Sequence, residues 1–371
     1  MRVTGALAAA VVLGVLPPPA RAQVAAPASP PASQPAGGST PAASTGSPRD
    51  RIGRWFELQN ATLNLRYRVI DTSAGNIATN QVQHRETIRA RIKLDASARY
   101  TWNFGVFTGT RFTSGWDNTG WGISGAQKNF AFKASYLSAI PFQGIEAQYG
   151  GLYIVRGQST EITTYDEDGY LVGQRVSIKR PRELYLDELS ATVGYLTPDP
   201  DEIPISRRTR YLNDVPNYRQ FLADKKVGTR AGISVDFTHA QGANTWRQGF
   251  NLRTPELIVA DTIVFELYER INRTPEQGFA LTIDKAVRRN VSFNLGYASI
   301  DPAFGGLNSD RFHIGNRVFA MGTYTISPEF VASAFITRAL GNDVPLPQRT
   351  LMNLVVTYNA LPALRRTGLF R

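Results

Sequence analysis

Of 371 residues, 41 are Lys or Arg and 30 are Asp or Glu, a formal charge of +11, and none is Cys. The missing thiols exclude a disulfide framework, a thiolate metal site and a lipidated N-terminal cysteine. Beyond the N-terminal leader no run of 18 apolar residues occurs, so no membrane-spanning helix is expected.

Residues 1–22 carry Arg2, an apolar run over 5–16, prolines at 17–19 and the small-x-small end Ala20, Arg21, Ala22. That pattern predicts a cleaved secretory signal peptide, and the apolar run falls short of the roughly 20 residues a spanning helix needs. Residues 23–50 are dominated by Ala, Pro, Ser, Gly and Thr. Such a segment buries too little apolar surface to offset its ordering entropy and is expected to be a disordered tether. One folded unit is expected over 51–371.

In the first predicted strand, 58–70, Ala61, Leu63, Leu65, Tyr67 and Val69 alternate with Thr62, Asn64, Arg66 and Arg68. In the second, 82–94, Val82, Ile88, Ala90, Ile92 and Leu94 alternate with Gln83, Arg85, Thr87, Arg89, Arg91 and Lys93. Side chains of a strand point to opposite faces in turn, so each strand separates an apolar side from a polar one. A helical period of 3.6 would scatter these arginines among the isoleucines. The same rule gives strands at 100–110, 130–138, 145–156, 185–196, 227–238, 245–253, 279–285, 291–299, 318–326, 331–339 and 352–360. Residues 256–271 read two ways. Thr254 and Pro255 resemble a helix start, but a strand within 262–271 makes the count even, as two termini on one side of a membrane require. The total is about fourteen, with twelve or sixteen as alternatives.

Tight turns follow the second, fourth, tenth and twelfth strands, near Asp95, Pro141, Ala286 and Pro328, and long loops follow the first, third, fifth, eleventh and thirteenth. Residues 197–226 break the phase, because the count assigns this long connection to the short-turn side. It carries Asp199, Asp201, Glu202, Arg207, Arg208 and Arg210, and residues 216–225 read as a short helix. Either it is an excursion or plug, or a pair of strands is missing from the count.

Many aromatics and glycines, with period-two alternation over segments of about ten residues, fit a transmembrane β-barrel. A soluble sandwich also alternates, but seldom with so many strands so regularly basic on the polar face. The leader, the tether and the aromatic-flanked strand array resemble outer-membrane β-barrels of Gram-negative bacteria, of the porin-like kind, and more distantly alginate-export and phosphate-porin barrels. The resemblance is architectural and runs from about Trp55 to the C-terminus. It implies an all-β, antiparallel, up-and-down transmembrane barrel in the cell outer membrane, inserted by the barrel-assembly machinery. It also implies contact with outer-membrane lipids and lipopolysaccharide, and is compatible with a homo-oligomer. Such barrels end on an aromatic residue; here the last strand is followed by 361–371, so Tyr358 and Phe370 both qualify.

In a barrel wide enough for an aqueous lumen, the polar face lines the channel. The candidate pore-lining cations are Arg66, Arg68, Arg85, Arg89, Arg91, Lys93, Lys133, Arg230 and Arg317, and a basic wall favours anions. The expectation is a channel for passive diffusion of small hydrophilic, preferably anionic, solutes, narrowed by 111–128 and 157–182. Against it stands the reading that these cations pair across the lumen with Glu146, Glu188, Asp236, Glu266 and Asp284 and hold the barrel round. A third reading places Arg111 and Arg156 on lipopolysaccharide phosphates. Trp102, Trp121, Tyr136, Tyr149, Tyr153, Tyr195 and Phe237 are candidates for interfacial girdles, whereas Phe107 and Phe319 sit on the polar face. The alternative functions are a polymer or polysaccharide export barrel, and a non-conducting barrel with a rim enzyme or adhesin.

No catalytic residue, cofactor or metal site is expected. His84, His239 and His313 lack ligand spacing, and Asp236 near His239, or Asp310 near His313, is a proximity that chance often supplies. The acidic residues of 160–169 could hold Ca²⁺ but read better as a solvated loop. Charges that alternate along strands, instead of clustering on one soluble face, argue against nucleic acid.

Overall fold

The computed structural model describes residues 54–72, 76–108, 116–123, 125–127, 130–158, 170–179, 185–197, 215–240, 242–271, 276–301, 314–341 and 349–367; the side chains of Ala131, Lys133, Tyr170 and Thr197 lie outside that description. The expected leader over 1–22, the expected tether over 23–50, residues 160–169, Arg111, His313 and Phe370 also fall outside it.

Seventeen strands form one sheet: β1 (Phe56–Asp71), β2 (Ile77–Lys93), β3 (Tyr100–Thr108), β4 (Asp117–Gly122), β5 (Phe130–Phe142), β6 (Ile145–Leu152), β7 (Tyr170–Ile178), β8 (Glu188–Thr197), β9 (Tyr218–Val227), β10 (Ala231–Ala240), β11 (Ala243–Arg253), β12 (Thr262–Arg270), β13 (Glu276–Arg288), β14 (Val291–Ile300), β15 (Gly315–Thr325), β16 (Phe330–Ala339) and β17 (Thr350–Asn359). The pairs are antiparallel, and β1 bonds to both β2 and β17, so sixteen strands close into a barrel. Closure leaves no edge to aggregate. The extra strand is β4, which pairs with Gln81, Gln83 and His84 of β2 beyond the reach of β3.

The all-β barrel expected from alternation is present, with sixteen ring strands. Two of them are absent from the sequence-based count. One is β7, inside the stretch expected to be a loop, and the other is β9, where residues 216–225 read as a helix. Inserting β7 moves the connection between β8 and β9 to the end of the barrel that carries the longest connections, which removes the break in phase. The ambiguous stretch contains a strand, β12. After β17 comes a short helix, α1 (Leu361–Arg366), so Tyr358 is the penultimate residue of the closing strand, with its ring 4.9 Å from that of Phe330. No helix among the described residues is long and apolar enough to cross a membrane.

The two faces of the wall differ as the alternation requires. Leu63, Leu65, Ile88, Leu137, Leu295 and Leu354 are exposed on the outside, whereas Asn64, Arg66, Thr87, Asn103, Thr192 and Asp236 are buried inside. Two bulges reverse the parity, as an extra residue in a strand must. In β1 the pairing skips Gln59, so Glu57 and Asn60 face the same way. In β5 it skips Lys133: Phe132 opposes Val106 while Ala134 opposes Gly105, so Phe130 and Phe132 point out and Tyr136 points in. Tyr136 is therefore not a girdle residue, and neither is Tyr153, which packs against it inside the barrel. Trp102, Tyr149, Tyr195 and Phe237 do take outward positions.

A buried apolar cluster sits within the barrel near the long-connection end. It contains Leu152, Leu171, Leu196, Tyr218 and Leu351 on inward positions, with Tyr268, Phe319 and Phe335 packed in the same cluster. Inward positions are therefore polar along the middle of the wall and apolar at that end.

Candidate functional site: a basic wall in the lumen

Arg66 and Arg68 of β1, and Arg85, Arg89, Arg91 and Lys93 of β2, all take inward positions on adjacent strands, with Asn64 opposite Arg85 and Asn60 opposite Arg89. The described partners of these groups are mainly neutral. Arg66 Nε donates to Gln83 Oε1 at 2.8 Å, Arg68 Nε to Asn353 Oδ1 at 2.9 Å and Arg91 Nε to Asn103 Oδ1 at 3.2 Å. Glu57 lies 3.7 Å from Arg91. A side-chain amide on Nε fixes the guanidinium plane of Arg66, Arg68 and Arg91 and, being neutral, adds no charge of its own.

Aromatic rings do the rest of the positioning. The guanidinium of Arg66 lies 4.0 Å and that of Arg85 4.9 Å from the ring centre of Trp116, which reaches the lumen from the connection ahead of β4. Arg89 lies 5.4 Å from the Phe107 ring and 4.9 Å from that of Tyr153. Each such contact is worth about 0.5–1 kcal/mol, and more where water is excluded.

Tyr153 belongs to a segment, 153–158, that leaves β6 and folds inward. Its ring meets Tyr136 edge-on at 6.3 Å, and Arg175 of β7 donates to its carbonyl oxygen. Further on, Gln220 of β9 donates to the Val155 carbonyl (2.8 Å), the Gln158 N–H donates to Ser234 Oγ of β10 (2.8 Å), and Gln158 Nε2 donates to Asp224 Oδ1 (2.7 Å). The segment is thus pinned beside β2, β3 and β5 at one end and against β9 and β10 at the other. Gly105 of β3 makes the docking feasible: a Cβ there would stand 2.1 Å from Tyr153 Oη. Arg156, expected at the outer surface, lies within this infolded segment.

The facing wall is built differently. Arg247 of β11 places Nη2 2.9 Å from Asp236 Oδ1 of β10 and Nε 3.9 Å from Glu266 Oε1 of β12; all three side chains are at most 3 % exposed. Gln220 and Thr238 also donate to Asp236. Next to them Arg270 and Glu276 pair at 2.9 Å. β2 and β11 lie eight places apart in the ring of sixteen, so the basic wall faces this carboxylate-containing wall across the barrel.

Four of the five acids expected to neutralise the cations across the lumen have described partners on their own wall. Glu146 takes Lys179 (2.9 Å), Ser138 and Gln148; Asp236 and Glu266 take Arg247; Asp284 accepts from Asn294. Three other expectations change. Arg230 is in the turn between β9 and β10, 2.6 Å from Glu256, because that strand pair closes one step earlier than its polar register suggested. Arg317 does face inward on β15, but it is fully buried, with Nε donating to the Ile314 carbonyl at 3.1 Å. Lys133 sits at the β5 bulge, and its side chain lies outside the described residues. Arg175, Arg247 and Arg270 are inward cations that sequence reasoning did not include. A signal existed for Arg247, which alternates with Trp246 and Gln248 in a weakly patterned strand.

The histidines form no constellation. His239 points outward, 2.6 Å from Asn244, while Asp236 points inward. His84 also points outward and meets Glu86 at 3.0 Å.

A closed antiparallel barrel of sixteen strands defines the fold class as that of the porins. Solved structures agree. A mutant of Rh. blastica porin matches with a TM-score of 0.53 and 13 % identity, over 82 % of this chain and 99 % of that one. Salmonella typhi OmpF, in a complex with daunomycin, gives 0.53 and 10 % identity over 83 % and 98 %. A chain from work titled "Asymmetric conductivity of engineered proteins" gives 0.52 and 12 % over 82 % and 99 %. No family model matches the sequence, and no curated protein matches it.

Proposed function

We propose that the protein is an outer-membrane porin-like channel that passes small hydrophilic solutes by diffusion and prefers anions. The observation that carries this reading is the clustering of Arg66, Arg68, Arg85, Arg89, Arg91 and Lys93 on adjacent inward positions of β1 and β2, with amides and rings among their contacts. A solute entering from the long-connection end would meet the infolded 153–158 segment beside this wall. Rings and ladders of Arg lower the barrier for anions and raise it for cations, and the preference should weaken with salt as screening shortens to a few ångströms. The test is efflux from proteoliposomes of a small carboxylate against an amine of matched size. The carboxylate should leave faster, and Arg85→Glu with Arg89→Glu should abolish the difference; faster amine efflux from the wild type would sink the proposal.

A second reading, a barrel devoted to one solute, draws on the inward aromatics Tyr136, Tyr153, Tyr218 and Tyr268. It differs in its kinetics, because a dedicated barrel is blocked by its own solute at saturating concentration and a general channel is not.

A further inference from the structure

The outer face of β13–β16 carries a groove. In register across β14, β15 and β16 stand Leu295, Ala320 and Ile336, and in the next row Tyr297, Val318 and Arg338. The small Ala320 between two branched neighbours leaves a trough of about 550 Å³, walled also by Leu281 and Ile283 of β13.

One rim of the trough is cationic. Arg338 is exposed on the outward register, one residue before the long-connection end of β16. No carboxylate among the described residues pairs with it. Beside it on the same wall the Tyr297 hydroxyl donates to Asn316 Oδ1 at 3.2 Å, which marks the level at which the wall turns polar. An outward Arg is costly at the bilayer midplane and tolerated near the interface, so this height suits a headgroup contact. A guanidinium takes a phosphate through two parallel N–H bonds, a fit that an apolar trough alone would not select.

We propose that this groove is a site for one phosphate-bearing acylated lipid, with an acyl chain over Ala320 and the phosphate on Arg338. The inference rests on the reading of the barrel as membrane-spanning, with the long connections at the membrane face where that lipid resides. Charge complementarity at the rim and burial of a chain below it act together, so removing either should release the lipid.

The test is native mass spectrometry of the refolded protein in a non-ionic detergent, titrated with lipid A or with dephosphorylated lipid A. The wild type should retain one lipid A, and Arg338→Gln and Ala320→Leu should each weaken retention about tenfold, the worth of one charge-assisted contact. Dephosphorylated lipid A should bind the wild type as weakly as lipid A binds Arg338→Gln. Arg219→Gln removes an outward cation from β9, away from the groove, and should change nothing. Equal retention by all variants, or by both lipids, overturns the proposal. Planar-bilayer conductance of the same preparations separates the two readings: a wild type that retains lipid A but conducts no ions would refute the channel and leave the lipid site standing.

Discussion

Gly105→Ala should unseat the infolded segment without harming the barrel. The new Cβ would lie 2.1 Å from Tyr153 Oη, while the next nearest atom, Cζ, is at 3.3 Å. The hydroxyl must therefore move, and with it the ring that meets Tyr136 at 6.3 Å and Arg89 at 4.9 Å. An aromatic pair is worth about 0.5–1.5 kcal/mol and a cation–π contact about 0.5–1 kcal/mol, so the docked state loses about 1–2.5 kcal/mol. At 1.4 kcal/mol per decade, the ratio of docked to undocked segment falls roughly five- to sixtyfold. The remaining anchors at Val155 and Gln158 stay in place, so the segment should fluctuate instead of leaving. Single-channel recording should show higher conductance and more open-channel noise. Urea unfolding should be unchanged or slightly improved, because Ala is the better strand residue. Tyr153→Phe in the same chain removes the clashing oxygen and should restore quiet, wild-type steps. A Gly105→Ala channel indistinguishable from wild type, or a double variant as noisy as the single, would refute this account of the docking.

Arg247→Met leaves Asp236 and Glu266 as buried carboxylates without their cation and should cost about 3–5 kcal/mol in urea unfolding followed by gel mobility; adding Asp236→Asn and Glu266→Gln should recover most of it. In the β2–β3 turn, slight burial alone would raise the Asp95 carboxyl, but bonds from the Ser97 hydroxyl and from the Tyr100, Arg99 and Ser97 N–H groups outweigh it and hold the group below the usual carboxylate range. A depressed carboxylate stabilises the fold above its unfolded pKa and loses that contribution as pH falls through the folded value; hydrogen exchange in 95–100 should rise under acid, and Asp95→Asn should flatten the dependence. The chain has no native Cys, so a cysteine scan of β9 reads its geometry directly. Cysteines at 224 and 226 should react with a water-soluble maleimide and those at 221 and 223 only with a membrane-soluble one; a period near 3.6 would restore the helix reading.

Alternation was legible wherever the two sides of the wall face different media. β2 is the clearest case, since each odd residue from Gln83 to Lys93 looks into the barrel and each even one away from it. The rule fails where the interior is itself apolar. In β9 the inward Tyr218 and Leu222 bracket the outward Phe221, so apolar residues fall at 218, 221 and 222, spacing that imitates a helix face. In β7 the inward Leu171 joins the outward Val172, and the polar Gln174 faces out, so alternation survives only over Arg175–Ile178, too short a stretch to read as a strand. Both strands cross the buried apolar cluster at the long-connection end. Bulges at Gln59 and Lys133 reverse parity without a compositional signal, which is why Tyr136 appeared to belong to the outer face. Half of the candidate site was visible as the arginine ladder. The rings that orient it, Trp116 and Tyr153, arrive from connections whose path depends on tertiary contacts.

If the β1–β2 arginines set the permeability of a conducting lumen, the reversal potential in planar bilayers under a KCl gradient reports it. The expected result is stable steps with a chloride preference that weakens at high salt and shifts toward potassium in Arg85→Glu with Arg89→Glu. Potassium preference in the wild type, or a reversal potential that ignores the two substitutions in a folded, inserted barrel, would contradict it.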